Sequence, residues 1–232
     1  MILKKIVKLV VLNRISARIL LKFTLQLHTK LYLLSGVYAS MLSNGIHPKH
    51  RIMRHKEWFL DNIQSDDVVL DVGSNTGMMP EMMSQKAEFV YGIEIEDKHI
   101  RVAQSLRKKG NIRYICADAT TYDYSSCMPI DIVTLSNVLE HIENRVEFLQ
   151  KLINQIKWNN TKRFLIRVPM LDRDWISIYK KELNIEYRLD STHYIEYTFD
   201  EFKQELDESK IKIKSYHIQF GEIYAICEAE TL

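Results

Sequence analysis

The sequence predicts an α/β fold, a doubly wound and mostly parallel sheet with an antiparallel strand at its C-terminal end, preceded by a helical extension. Three observations predict it. Apolar, branched runs recur at Val68–Val72, 89–93, 112–115, 130–135, 164–168, 211–216 and 223–227. Helical patterns at about 77–86, 97–109, 144–157 and 199–208 separate most of them, and strands alternating with helices call for a parallel sheet covered on both faces. The last two runs are separated only by His217-Ile-Gln-Phe-Gly-Glu222, too short for a crossover, so they read as an antiparallel hairpin closing the sheet. Thr198-Phe199-Asp200-Glu201 is a capping box in front of the last helix.

A chain of 232 residues, 46% apolar and 27% charged, suits one globular domain plus an extension. The boundary is set by charge: residues 1–50 form a basic helical extension and residues 51–232 the sheet-bearing domain. The first acid is Glu57, after 11 Lys and Arg, whereas the rest of the chain carries 21 basic and 30 acidic residues. Cys116, Cys127 and Cys227 are odd in number and not spaced as metal-binding pairs, which reads as reduced thiols in a cytoplasmic protein.

Residues 2 to about 35 read as a helix, with no Gly or Pro before Gly36. Arg14, Arg18, Lys22, Gln26 and Lys30 recur every four residues as a polar stripe, and Ile2, Ile6, Leu9, Ala17, Leu20, Leu27 and Leu31 cluster roughly opposite. Charges interrupt every apolar run, so no transmembrane helix is expected. No small-residue cleavage site follows the short apolar run, so no cleaved signal is expected either. Two readings of the arm stand side by side. Its apolar face packs on the domain as a lid, or residues 1–35 lie on an anionic membrane surface, making the protein peripheral to the inner face of the membrane.

The chemistry concentrates at the ends of the strands, where open parallel sheets bind ligands. The first run breaks into Asp71-Val-Gly73-Ser-Asn75-Thr-Gly77. Gly73 and Gly77 permit close backbone approach, and the following helix offers unpaired N–H groups. Asn75 stands where a middle glycine would be expected, and Asn tolerates left-handed backbone angles. Glu94 ends the second run, placed to accept both hydroxyls of a ribose. Asp118 follows the third, in Cys116-Ala-Asp-Ala119, placed to take the exocyclic amine of an adenine. The fourth run ends in Ser136, Asn137, Glu140 and His141.

With these four motifs in this order and spacing, residues 55–230 resemble the class I S-adenosylmethionine-dependent methyltransferases, which have a Rossmann-like sheet. The Leu139-Glu-His-Ile142 ending is most similar to the branch that methylates small molecules. The resemblance implies S-adenosyl-L-methionine as cofactor. It places Gly73 and Gly77 around the methionine part, Glu94 on the ribose, Asp118 on the adenine, and Ile95 and Ala119 beside its ring, with Asn75 and Asn137 also among the cofactor-binding residues. Asp71 would orient the turn or the methionine amine. Each residue also has a plainer role: Asp71 and Asp118 as turn formers, Glu94 as an ordinary strand end.

His141 is a candidate general base for a hydroxyl acceptor, or a structural residue at a helix start. His193 is the second candidate. It lies in residues 167–198, where Arg167, Arg173, Asp174, Trp175, Tyr179, Tyr194 and Glu196 are available to line an acceptor pocket, or simply to pack an insertion on the sheet. Some quinone-pathway relatives hold a divalent metal with a Glu-x-x-Glu-His cluster. Here that stretch is Asn137-Val-Leu-Glu140-His141, the first carboxylate is absent, and no required metal is expected.

The expected function is therefore methyl transfer to a small-molecule acceptor, a hydroxyl oxygen on a lipid, quinone-like molecule or sugar. Two alternatives stand against it: an RNA methyltransferase using the basic arm on phosphates, and a non-catalytic cofactor-binding protein. The acidic body and the absence of an Asn/Asp-Pro-Pro-aromatic motif disfavour nucleic acid. The lack of Gly-x-Gly-x-x-Gly disfavours a nicotinamide dehydrogenase.

Overall fold

The computed structural model describes residues 14–107 and 109–230. In chain order the helices are α1 (Arg14–Leu42), α2 (Lys49–Met53), α3 (His55–Asp61), α4 (Met78–Met83), α5 (Asp97–Leu106), α6 (Arg145–Gln155), α7 (Trp175–Glu182) and α8 (Phe199–Glu208). The strands are β1 (Val68–Val72), β2 (Phe89–Glu94), β3 (Ile112–Cys116), β4 (Ile130–Ser136), β5 (Trp158–Pro169), β6 (Ile211–Gln219) and β7 (Glu222–Ala229). They fall into two compact units: the described residues up to Ile52 with Asp174–Arg188, and the described residues of Met53–Arg173 with those from Leu189 onward.

The larger unit holds one seven-stranded sheet in the order β3-β2-β1-β4-β5-β7-β6. The first five strands in space are parallel, and β7 pairs antiparallel with both β5 and β6. All seven runs read from the sequence are strands. Burial explains their continuous apolar character: β1 is buried at every position, as strands covered on both faces are. On one face Leu70, Val72, Val133, Leu135 and Ile166 pack with Phe148, Leu149 and Leu152 of α6 and Phe202 and Leu206 of α8. On the other, Val69, Val90, Ile132 and Leu165 pack with Phe59 of α3 and Met83 of α4. Phe220 and Gly221 turn the β6–β7 hairpin with φ of 51° and 72°, the sign that a two-residue hairpin loop matched to strand twist requires. The Thr198–Glu201 capping box forms in both directions.

The smaller unit departs from expectation in two ways. Helix α1 runs through Gly36 to Leu42 rather than ending near residue 35. A single glycine costs a helix only about 1 kcal/mol, and the helix stops where Asn44 and Gly45 adopt left-handed angles. The expected helical stretch before residue 14 lies outside the described residues. Second, residues 175–182 form a helix, α7, that the composition did not announce. Asp174 caps it by accepting the Ser177 N–H at 2.7 Å, and Lys180 Nζ donates to Thr29 Oγ1 of α1 at 2.7 Å. Leu25 is the buried side chain of α1 among the described residues. Ile19, Phe23, Leu27, Leu31, Tyr38 and Met41 are all exposed.

One buried polar pair crosses the centre of the sheet. Thr134 Oγ1 of β4 donates to Asp71 Oδ1 of β1 at 2.6 Å, while Asp71 Oδ2 has no partner. Burial pushes the Asp71 carboxyl up to about 7; the Thr134 hydrogen bond opposes this and the charge of Glu94 adds to it. A carboxyl raised in the folded state holds a proton that the unfolded chain loses above about pH 4, so stability from this group falls as pH rises toward 7. Asp71→Asn keeps the acceptor for Thr134 and removes the buried charge. Its effect on urea unfolding is expected to be more favourable at pH 8 than at pH 5 by about 2 kcal/mol. An effect equal at both pH values would mean that the carboxylate is already compensated.

Candidate active site

The carboxyl ends of β1–β4 open onto a cleft of about 1550 Å³. Its lining includes Gly73, Asn75, Glu94, Ile95, Asp118, Ala119, Asn137 and His141, so eight of the residues singled out in the sequence converge there. Asp71 and Gly77 lie behind the wall and His193 beside it.

The turn after β1 is bent by three left-handed residues: Gly73 (φ 72°), Asn75 (φ 47°) and Gly77 (φ 80°). Asn75 therefore occupies the backbone region that its residue type tolerates. Gly73 and Ser74 both donate their N–H to Ile93 O, at 2.9 and 3.0 Å. A Cβ on Gly77 would lie 2.7 Å from Tyr114 Oη and 2.8 Å from Ala103 Cβ, so this glycine lets α4 start close against α5 and β3. A Cβ on Gly73 would lie 2.7 Å from Val138 Cγ2. Beneath the turn, Ser74 Oγ and Asp71 Oδ2 are buried without partners. The turn presents Gly73 and Asn75 to the cleft with these two unspent polar atoms behind them, a surface that could hold the methionine part of S-adenosylmethionine.

Glu94 is 8% exposed. Its Oε2 accepts the Asn75 N–H and its Oε1 the Glu96 N–H, both at 2.9 Å. A carboxylate has about four acceptor positions, so two remain for the hydroxyls of a ribose. Asp118 uses Oδ1 to accept from the Thr120 N–H (2.8 Å) and Oγ1 (2.7 Å), which fixes the turn that presents Ala119. Both the turn-forming and the ligand-binding roles of these acids are thus compatible with one geometry. Ile95 is exposed on the cleft wall. Asn137, at φ 55°, accepts from Arg167 Nε at 3.3 Å. Arg167 also faces Glu222 at 3.5 Å.

The two histidines come together across 52 positions of sequence, with ring centroids 4.7 Å apart and nearly perpendicular. The Thr192 hydroxyl lies 2.8 Å from Asp190 Oδ1 and 2.9 Å from His141 Nδ1. A carboxylate only accepts, so the hydroxyl donates to Asp190 and accepts from the His141 Nδ1–H, leaving the lone pair on Nε2. Burial, then neighbouring His193, lowers the pKa of His141 and favours its neutral form. His193 Nδ1 faces Glu196 Oε1 at 3.2 Å. Glu196 is itself held by Arg173 and by the Leu189 N–H.

In the sequence, Glu140 stands only as part of an incomplete metal-like motif, with no role of its own. It is fully buried, and no other residue donates to either of its oxygens. Burial raises its carboxyl to about 8, opposed by its own main-chain amide and Arg167. The available signal was its position beside His141 at the end of β4. Of the other pocket candidates, Tyr194 lines the cleft, Arg173 orders Glu196, and Asp174 caps α7. Trp175 and Tyr179 line a separate apolar depression with Ile178 and Glu182.

Residues 70–158 match the family profile described as "Methyltransferase domain". The ubiquinone biosynthesis O-methyltransferase of Nitrosomonas europaea is 29% identical over 117 residues, 47% of this chain and 49% of that one. The ribosomal RNA small subunit methyltransferase A of Syntrophus aciditrophicus is 23% identical over 117 residues, 49% of this chain and 42% of that one. The chain thus spans less than half the length of these curated relatives. Among solved structures, magnesium protoporphyrin IX methyltransferase from Synechocystis with bound SAH superposes with a TM-score of 0.58 at 16% identity, covering 78% of this chain and 83% of that one. A SAM-dependent methyltransferase from Aquifex aeolicus gives 0.56 at 15%, covering 81% and 97%. Residues 70–158 thus carry a methyltransferase domain, set in a sheet with the fold of S-adenosylmethionine-dependent methyltransferases.

Proposed function

We propose that the protein transfers the methyl group of S-adenosylmethionine to a hydroxyl oxygen of a small-molecule acceptor, a lipid, quinone-like molecule or sugar. The observation that carries this reading is the arrangement of the cleft. Nucleoside-type acceptors, Glu94 and Asp118, stand at the ends of β2 and β3. The histidine pair stands beyond the end of β4. A sulfonium is an activated leaving group, so alignment and exclusion of water supply most of the catalysis. As the acceptor oxygen bonds to the methyl carbon, the carbon–sulfur bond breaks and S-adenosylhomocysteine leaves. His141 Nε2, its ring held by Thr192 and Asp190, takes the hydroxyl proton. The similarity to ubiquinone biosynthesis O-methyltransferases, at 29% identity, supports an oxygen acceptor; the similarity to a ribosomal RNA methyltransferase, at 23% identity over an equal length, supports the RNA reading.

The cofactor assignment is tested by calorimetric titration with S-adenosylhomocysteine. Glu94→Ala removes the ribose acceptor together with the anchor of Asn75 and is expected to cost about 1–3 kcal/mol of binding. Unchanged affinity would remove Glu94 from the site, and absence of binding to folded wild type would favour the non-catalytic reading.

The same proposal gives the basic helix a place. No helix of the described residues is long and apolar enough to cross a membrane, and the exposed apolar side chains of α1 recur at helical spacing beside Arg14, Arg18 and Lys22. That combination suits the surface of an anionic bilayer, where each basic residue contributes about 1 kcal/mol. The protein should sediment with phosphatidylserine vesicles and much less with phosphatidylcholine. Replacing Arg14, Arg18 and Lys22 together by Glu should release it. Equal sedimentation of variant and wild type would assign the exposed face to another partner.

A further inference from the structure

The groups at the acceptor end of the cleft form a set that is richer in lone pairs than in protons. Glu140, His141 and His193 each offer one ligand atom, and these atoms all lie within 4.8 Å of one another. In both histidines Nδ1 faces a polar acceptor, the Thr192 hydroxyl backed by Asp190 in one case and Glu196 in the other. That is the outer support metal-binding histidines use, and it turns the Nε2 lone pair into the donor. Glu140 brings a buried carboxyl that no other residue donates to. Around the set stand three carboxylates, Glu196, Glu222 and Asp190, against two guanidiniums, Arg167 and Arg173. The local charge is therefore negative without an added cation.

We propose that Glu140, His141 and His193 bind one divalent transition-metal ion, with Zn²⁺ preferred over Mg²⁺. The missing carboxylate at Asn137 does not abolish a site. Its place in the ligand count is taken by His193, brought in from a segment beyond β5 by the main-chain bond from Tyr194 N to Glu140 O at 2.7 Å. The exchange changes the chemistry. Two imidazoles and one carboxylate suit Zn²⁺, whereas Mg²⁺ demands oxygen ligands. Three protein ligands also leave an open position, and His141 lines the cleft. A coordinated Nε2 cannot accept a proton, so His141 acts as the general base only in the ion-free protein. The acceptor hydroxyl would bind the open position, and its proton would leave to water. That last step rests on the methyl-transfer reading; ion binding does not.

The test is calorimetry of chelator-stripped, full-length protein with ZnCl₂ and separately with MgCl₂, with Co²⁺ absorption as a spectroscopic probe of nitrogen ligation. One Zn²⁺ per chain is expected, not displaced by millimolar Mg²⁺. Glu140→Gln and His193→Gln should each weaken Zn²⁺ binding at least tenfold. Thr192→Val removes no ligand but frees the His141 ring, and it should weaken binding by a smaller factor. Cooperative urea unfolding checks that each variant is folded. Zn²⁺ binding undiminished in Glu140→Gln and His193→Gln would place the ion at other side chains and overturn the proposal. So would an absence of binding to folded wild type. Titrating the same preparations with S-adenosylhomocysteine separates the two ideas: loss of cofactor binding alone leaves the metal site standing.

Discussion

The geometry of the cleft depends on one carboxylate at the end of β2. Glu94 accepts the N–H of Asn75 with one oxygen and that of Glu96 with the other. It thereby ties the turn after β1 to the start of α5 across the parallel β1–β2 pair. A turn with three left-handed residues in five positions is costly to hold, and Asn75 is the one among them that is not glycine. The hydrogen bond from its amide, together with the two from Gly73 and Ser74 to Ile93 O, over-determines that conformation. The shape of the turn and the lip that presents Ile95 follow from the same three bonds. Glu94 is thus structural while still keeping acceptor positions to spare, which is why its two readings in the sequence could not be separated by residue type.

The fold was almost entirely legible, because it is written in local patterns. Each of the seven strands announced itself as a short branched run, and the hairpin through the brevity of its connection. What failed to show was whatever depends on tertiary partners. Helix α7 carries mixed polar and aromatic residues whose helical order is set by the Asp174 cap and the Lys180–Thr29 hydrogen bond, and its grouping with α1 spans about 150 positions. The continuation of α1 past Gly36 was missed because a glycine was read as a stop, although one glycine is a small penalty in a helix of 29 residues.

The site was legible on its cofactor side and obscure on its acceptor side, for a physical reason. Glu94 and Asp118 sit at the ends of consecutive strands, so chain order alone brings them to one edge of the sheet. His193 reaches His141 only through a loop whose path is fixed by the Tyr194–Glu140 main-chain bond and by the Arg173–Glu196 pair. Burial of Glu140 is likewise invisible in the sequence: an acid beside a histidine reads as solvated until the elements over it are in place. The Asn137 departure, taken alone, argued against a metal, because a linear motif counts only the ligands that are close in sequence.

Two buried acids stand near the ends of β1 and β4, and they differ in their surroundings. Asp71 retains one hydrogen bond, lies behind the glycine turn, and is raised to about 7. A cationic group brought to the turn would stabilise its charged form, so ligand binding and ionisation of Asp71 reinforce each other. Glu140 receives no donor from another residue and is raised to about 8. Only a cation, or a proton of its own, compensates a carboxyl so placed. On the methyl-transfer reading, the sulfonium-bearing ligand would offset the cost of the first acid and would not reach the second. The second acid, with two histidines whose Nδ1 atoms face Thr192 and Glu196, forms the geometry on which the metal proposal rests.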